Sequence, residues 1–165
     1  MLKITLSMIL LTLSLNVFPE SNMEVIYSEL KFNLPDNFTL IGDMGGKDNI
    51  LVFRYGDIKG KNYIAFTDMT NDNTIKYGCS ASVFYNDLFS ANSDTNCNIE
   101  NLNIMRNAFI DNKEIVIWRI NDYVLNYSSS KDKSFVFLSG KNGKLIKIDS
   151  DFIDKKAFKN IFKKL

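Results

Sequence analysis

The sequence predicts an α+β domain: a mostly antiparallel sheet of about seven strands, closing in a C-terminal β-meander, with two or three helices packed against it. Three observations carry this. Short runs of alternating apolar and polar residues recur along the chain, separated by Asn, Asp and Gly clusters. Between the two sets of strands lies a stretch with helical spacing that holds the only two cysteines, Cys79 and Cys97. The last fifteen residues form an amphipathic pattern, with Phe158, Ile161, Phe162 and Leu165 on one stripe and five lysines on the rest.

In order, residues 23–34 read as one strand, or as two split near Ser28. Pro35, Asp36 and Asn37 signal a turn, and residues 38–41 restart an extended run. Residues 42–49, with three glycines, read as a flexible loop. Residues 50–55 and 63–68 alternate cleanly and are joined by a polar, glycine-containing loop, so they predict a hairpin. A short strand is expected at 74–77. Residues 82–90 predict a helix capped by Ser80 or Ser82, with Phe84 and Leu88, or Tyr85 and Phe89, one turn apart. Leu102, Met105 and Phe109 predict a second helix over 100–110.

The meander is read from 114–120, 123–128, 134–138 and 145–148. Asn121-Asp122 and Asn142-Gly143 tolerate the left-handed backbone that short turns need. Ile115, Val116, Ile117, Trp118 and Ile120 make the first of these strands apolar on both faces, which predicts a central strand covered twice. Residues 151–165 are expected to be a helix, acidic at its start and lysine-rich at its end, as the helix dipole favours.

Residues 1–21 have the shape of a signal peptide. Lys3 is followed by an apolar stretch, and Pro19, Glu20, Ser21 and Asn22 break it. The stretch is shorter than the roughly 20 residues of a membrane span. The expectation is therefore an exported chain, periplasmic or extracellular, whose mature part, 22–165, is one domain with no integral span. Export makes the cysteines meaningful, because an oxidising compartment favours a Cys79–Cys97 bridge.

The chain's 20 basic and 19 acidic residues leave a net charge of +1, with no field of one sign to attract nucleic acid. There is no histidine, which excludes His-based triads, His-ligated metals and a histidine pH switch. Gly46-Lys47, Gly60-Lys61 and Gly143-Lys144 lack the rest of a phosphate loop. Asp68, Thr70, Asp72 and Thr74 have the stagger of a calcium loop, but Asn73 and Cys79 stand where its glycine and final acid belong. Asn37-Phe38-Thr39 and Asn126-Tyr127-Ser128 match the glycan acceptor pattern. No cofactor is implied.

The functional expectation is a small exported, non-catalytic binding domain of inhibitor or immunity type, whose partner is another exported protein. Phe84, Tyr85, Asp87 and Phe89, on a helix held by the bridge, are its candidate partner-binding residues, since aromatics enrich interface cores and rigidity lowers the cost of binding. One alternative is a cell-wall or glycan hydrolase using two of Asp68, Asp72, Asp87 and Asp94. Another is an envelope or surface component.

Overall fold

A computed structural model describes residues 21–44, 49–90 and 95–165. The expected leader lies outside them, apart from Ser21. Among the described residues there are nine strands, all paired antiparallel, and three α-helices, the last C-terminal: a mixed α+β domain. No helix among them is long and apolar enough to cross a membrane.

Residues 23–34 divide into two strands, β1 (Asn22–Tyr27) and β2 (Leu30–Pro35), which form a separate hairpin. Its two-residue turn puts Ser28 and Glu29 at φ 48° and 68°, the left-handed pair that matches strand twist. β3 (Leu40–Met44), β4 (Ile50–Arg54) and β5 (Tyr63–Asp68) form a first meander. Helices α1 (Ala81–Phe89) and α2 (Ile99–Phe109) follow. β6 (Glu114–Ile120), β7 (Tyr123–Ser129), β8 (Ser134–Ser139) and β9 (Leu145–Ser150) form a second meander, and α3 (Lys155–Ile161) ends the chain.

The two meanders join where β9 pairs with β5, giving one seven-stranded sheet in the order β3-β4-β5-β9-β8-β7-β6. Because side chains alternate, each cross-strand row belongs to one face. The row Leu51, Phe66, Ile148, Val136, Tyr127 and Val116 faces the larger core. β2 supplies Phe32 and Leu34 to that core, and α3 supplies Phe158, Ile161 and Phe162, all essentially without solvent contact. Phe66 sits at its centre, 5.0 Å from Phe32, 5.4 Å from Tyr27 and 6.1 Å from Phe53 between ring centroids. The opposite row, Ile50, Thr67, Lys147, Phe137, Asn126 and Ile117, is mixed. Its Phe137 is capped by α1 and α2.

Four expectations need correction. β6 is an edge strand, hydrogen-bonded only to β7, and Ile117 is 46 % exposed. Its apolarity has a different cause: Val116, Trp118 and Ile120 pack on the larger core, and Ile115 packs towards the helices. The three-glycine stretch does not begin as a loop, since Gly42, Asp43 and Met44 pair with Val52, Leu51 and Ile50; residues 45–48 of that expected loop lie outside the described residues. Residues 74–77 form no strand. There the Asp72 side chain accepts from the Thr74 amide at 3.0 Å, a local bond that competes with sheet pairing. The last helix starts later and stops sooner than 151–165. Asp151 accepts the amides of Asn62 and Tyr63 at 3.1 and 3.0 Å, and Asp154 caps α3 through the Ala157 amide at 2.7 Å.

Phe66→Ala is expected to destabilise the fold by about 3–5 kcal/mol, while Ile117→Lys changes it by less than about 0.5 kcal/mol. Urea unfolding of the two variants measures both. A large loss at position 117 would contradict the edge placement of β6.

Candidate functional site

The helical layer is built around the bridge. Cys79 and Cys97, 18 positions apart in sequence, are disulfide-bonded with Cα atoms 4.9 Å apart, and they close the loop between them. Gly78 enters it at φ +77°, where a Cβ atom would lie 2.8 Å from the Asn98 amide nitrogen. The close approach lets that amide donate to the Tyr77 carbonyl at 2.7 Å. Ser80 caps α1 through the Val83 amide, and Asn98 caps α2 through the Asn101 amide. Asn126 on β7 donates to Asn86 at 3.1 Å, and Ser128 donates to the Phe109 carbonyl, so both helices are tied to the same strand.

The expected partner-binding aromatics are interior. Phe84 is 0 % exposed and Tyr85 3 %, and Phe89 is buried too. Tyr85 stacks on Phe137 at 4.4 Å between centroids, and Phe89 and Phe109 close around the same ring. Five apolar side chains of α1 are buried, and Val83 is the large one left facing outward. The burial has a simple cause: a helix this apolar stabilises more by covering Phe137 and Leu145 than by standing exposed. Asp87 is half-buried, and its carboxylate accepts from the Thr95 hydroxyl. It organises the bridged loop.

The other acidic candidates have local partners too. Asp72 accepts from Thr74 and from the Tyr77 hydroxyl. Asp68 accepts from Ser28 and from the Thr70 amide at 3.0 Å, with the Lys144 ammonium 3.6 Å away. Lys144 also donates to Ser28 at 2.6 Å, so Asp68 ties the β1–β2 turn to the main sheet. Asp94 lies outside the described residues. No group of three His, Cys, Asp or Glu side chains placed to hold a metal ion occurs among the described residues. Burial pushes the Tyr85 phenol up to about 12 and raises Tyr77 further, so both stay protonated hydrogen-bond donors in neutral solution. Of the two glycan acceptor asparagines, Asn37 is exposed and Asn126 is buried.

What remains open is half of the sheet. α1 and α2 cover the β6–β8 side of one face and the start of β9 at Leu145, and no described residue forms a layer over the rest of that face, on β3, β4, β5 and the far part of β9. A groove of about 370 Å³ runs there. Leu40, Ile50, Val52 and Ala65 supply its apolar lining, and Arg54, Lys61, Lys147 and Asp149 supply its charges. Lys147 pairs with Asp149 at 2.9 Å and lies over the Phe135 ring at 5.4 Å. The Arg54 guanidinium has no hydrogen bond or ion pair among the described residues, and its Nε is shielded from water with no partner. Through Ile50, Thr67 and Lys147 the groove continues into a hollow of about 720 Å³. Its walls include Asn49, Asn71, Asn73 and Thr74 on one side and Tyr85 and Phe109 on the other. Sequence patterning does not reveal this groove, because alternation marks two faces and does not say which one is left bare.

The chain matches no protein-family model, no curated protein and no solved structure.

Two outcomes follow from this geometry. Replacing both cysteines by serine removes a loop closure worth about 3 kcal/mol and lowers Tm by about 10 °C, measured calorimetrically. An unchanged Tm would mean that the bridge does not constrain the unfolded chain. The second outcome concerns acid. Burial alone would raise the Asp68 carboxyl, but the Ser28 and Thr70 hydrogen bonds and the Lys144 charge outweigh it and hold the group below 3.8. A depressed carboxylate stabilises the fold above its unfolded value and loses that contribution as pH falls through the folded one. Asp68→Asn therefore narrows the stability difference between neutral solution and pH below 3.8, read by urea unfolding at both. An identical pH dependence in variant and parent would remove Asp68 from the account.

Proposed function

We propose that this chain is a small exported, non-catalytic protein-binding domain of inhibitor or immunity type, which covers part of another exported protein with the open half of its sheet. The observation that carries the reading is the uncovered groove over β3, β4, β5 and β9. It presents apolar side chains from rigid strands, so little ordering is needed on binding. Leu40 and Ile41, 46 % and 51 % exposed, extend the apolar surface around the edge strand β3. The disulfide is consistent with export into an oxidising compartment. Concave, mostly apolar surfaces with a few placed charges are the usual form of a recognition site.

The test is capture by the oxidised domain on a resin, from an envelope extract, in parallel with Leu40→Asp, Val52→Asp and Ile104→Asp. Ile104 is 60 % exposed on α2, away from the groove. The parent and Ile104→Asp are expected to retain one stoichiometric protein at high salt, and the two groove variants to release it. Retention by all four, or by none, would contradict the proposal.

A further inference from the structure

Among the described residues the groove holds an arginine that the fold leaves unanswered. Arg54 ends β4 and faces Leu40 and Tyr63 across the strands, so its side chain lies on the groove side. A guanidinium is charged at every ordinary pH and carries five donors in a planar fork. Among the described residues none of these donors has a partner, and Nε is shielded from water as well. Nε lies beneath the surface, so the donors that an outside acceptor can reach are those of the two Nη groups, which no described residue engages. The rest of the lining does not supply one. Asp149 is the only acid there, and it is engaged by Lys147. Lys61 adds a second cation with no ion pair among the described residues.

We infer that Arg54 is the anchor of a carboxylate-recognition site, and that the segment seated in the groove is an acidic polypeptide segment with apolar side chains next to its carboxylate. This rests on the protein-binding reading above and names the chemistry of the partner. Two features of the groove select that occupant. Its apolar stretch, formed by Leu40, Val52 and Ala65, adjoins unneutralised positive charge. It is also open and continues into a hollow walled by Asn49, Asn71, Asn73 and Thr74, whose amides and hydroxyl suit a polypeptide backbone, and by Asp68 and Asp72, which keep the segment's carboxylate at the Arg54 end. A lipid acyl chain would require an apolar enclosure at that end. The carboxylate meets the two Nη groups at the end of the fork in a bidentate pair, and the neighbouring apolar side chains rest on Val52 and Ala65.

The experiment titrates the isotope-labelled, oxidised chain with three probes and follows amide shifts by NMR. The probes are an end-blocked Gly-Leu-Glu-Leu-Gly peptide, its Gln counterpart and dodecanoate. The acidic peptide is expected to give saturable shifts clustered on residues 50–54, 63–67 and 147–149. The Gln peptide is expected to bind about tenfold more weakly, as loss of one charged hydrogen-bonding pair implies. Arg54→Lys, which keeps the charge but not the fork, weakens the acidic peptide, and Arg54→Gln abolishes the preference for Glu over Gln. Dispersed amide spectra of both variants show that they fold. Equal binding of the two peptides, shifts elsewhere, or no saturable shift would overturn the inference. So would tighter binding of dodecanoate, which would mark the groove as a lipid carboxylate site. Retention of a captured partner by Arg54→Gln at full strength, with release by Leu40→Asp, would overturn this inference and leave the protein-binding reading standing. Loss of capture by every form would strike that reading instead.

Discussion

The pairing of β9 with β5 in the middle of the sheet decides where everything else can lie. It joins two antiparallel meanders that are far apart in sequence, with Phe66 opposite Ile148 and Ile64 opposite Ser150. Long-range closure of this kind costs chain entropy, so it must be offset by burial along the seam. Phe66, Ile146, Ile148 and Val136 supply that burial on one face, under β2 and α3. Once β9 is fixed beside β5, the chain leaving β5 must travel to the far edge before it can meander back. α1 and α2 are that passage. They lie over the strands they cross, β6 to β8, and not over β3 and β4.

Phe137 and the disulfide then hold the passage in place. Phe137 points away from the larger core and is met by Tyr85, Phe89 and Phe109. The bridge between Cys79 and Cys97 fixes the entry of α1 to the entry of α2, beside the Tyr77 and Asn98 contact. The same pieces that stabilise the helical layer also set its limit. Tyr85 and Phe109 end it as a wall, and beyond the wall no described residue layers the sheet. The candidate site is thus a by-product of strand order, with the Arg54 guanidinium unpaired among the described residues.

Local chemistry, the β4–β5 hairpin and the C-terminal meander were readable in the sequence, and the long-range join of β9 to β5 was not. The left-handed turns fall where Asn and Gly predict them, at Asn121 (φ 51°) and at Asn142 and Gly143 (φ 61° and 78°). Ser80 caps α1, and residues 114–120 are strand as predicted. The misplacement of β6 came from reading apolarity on two faces as burial between two neighbours. At an edge, one face can pack on a core and the other against helix side chains, which gives the same pattern. Phe84, Tyr85 and Phe89 show a related limit: spacing shows that they share a helix, and the position of Phe137 is what turns that helix face inward. Asp151 delayed α3 through hydrogen bonds to Asn62 and Tyr63, residues some ninety positions away. Nothing in the alternation around Arg54 distinguishes it from any outward arginine on a strand.

The account therefore stands on one face of one sheet being the surface that meets the partner. The most direct measurement places a photoreactive side chain at position 52, in the groove, or at position 104, on the outer face of α2, and irradiates each form with the captured partner. Covalent attachment from position 52 and none from position 104 is the predicted result. Attachment from position 104 alone would show that the helical face makes the contact and that the open half of the sheet does not.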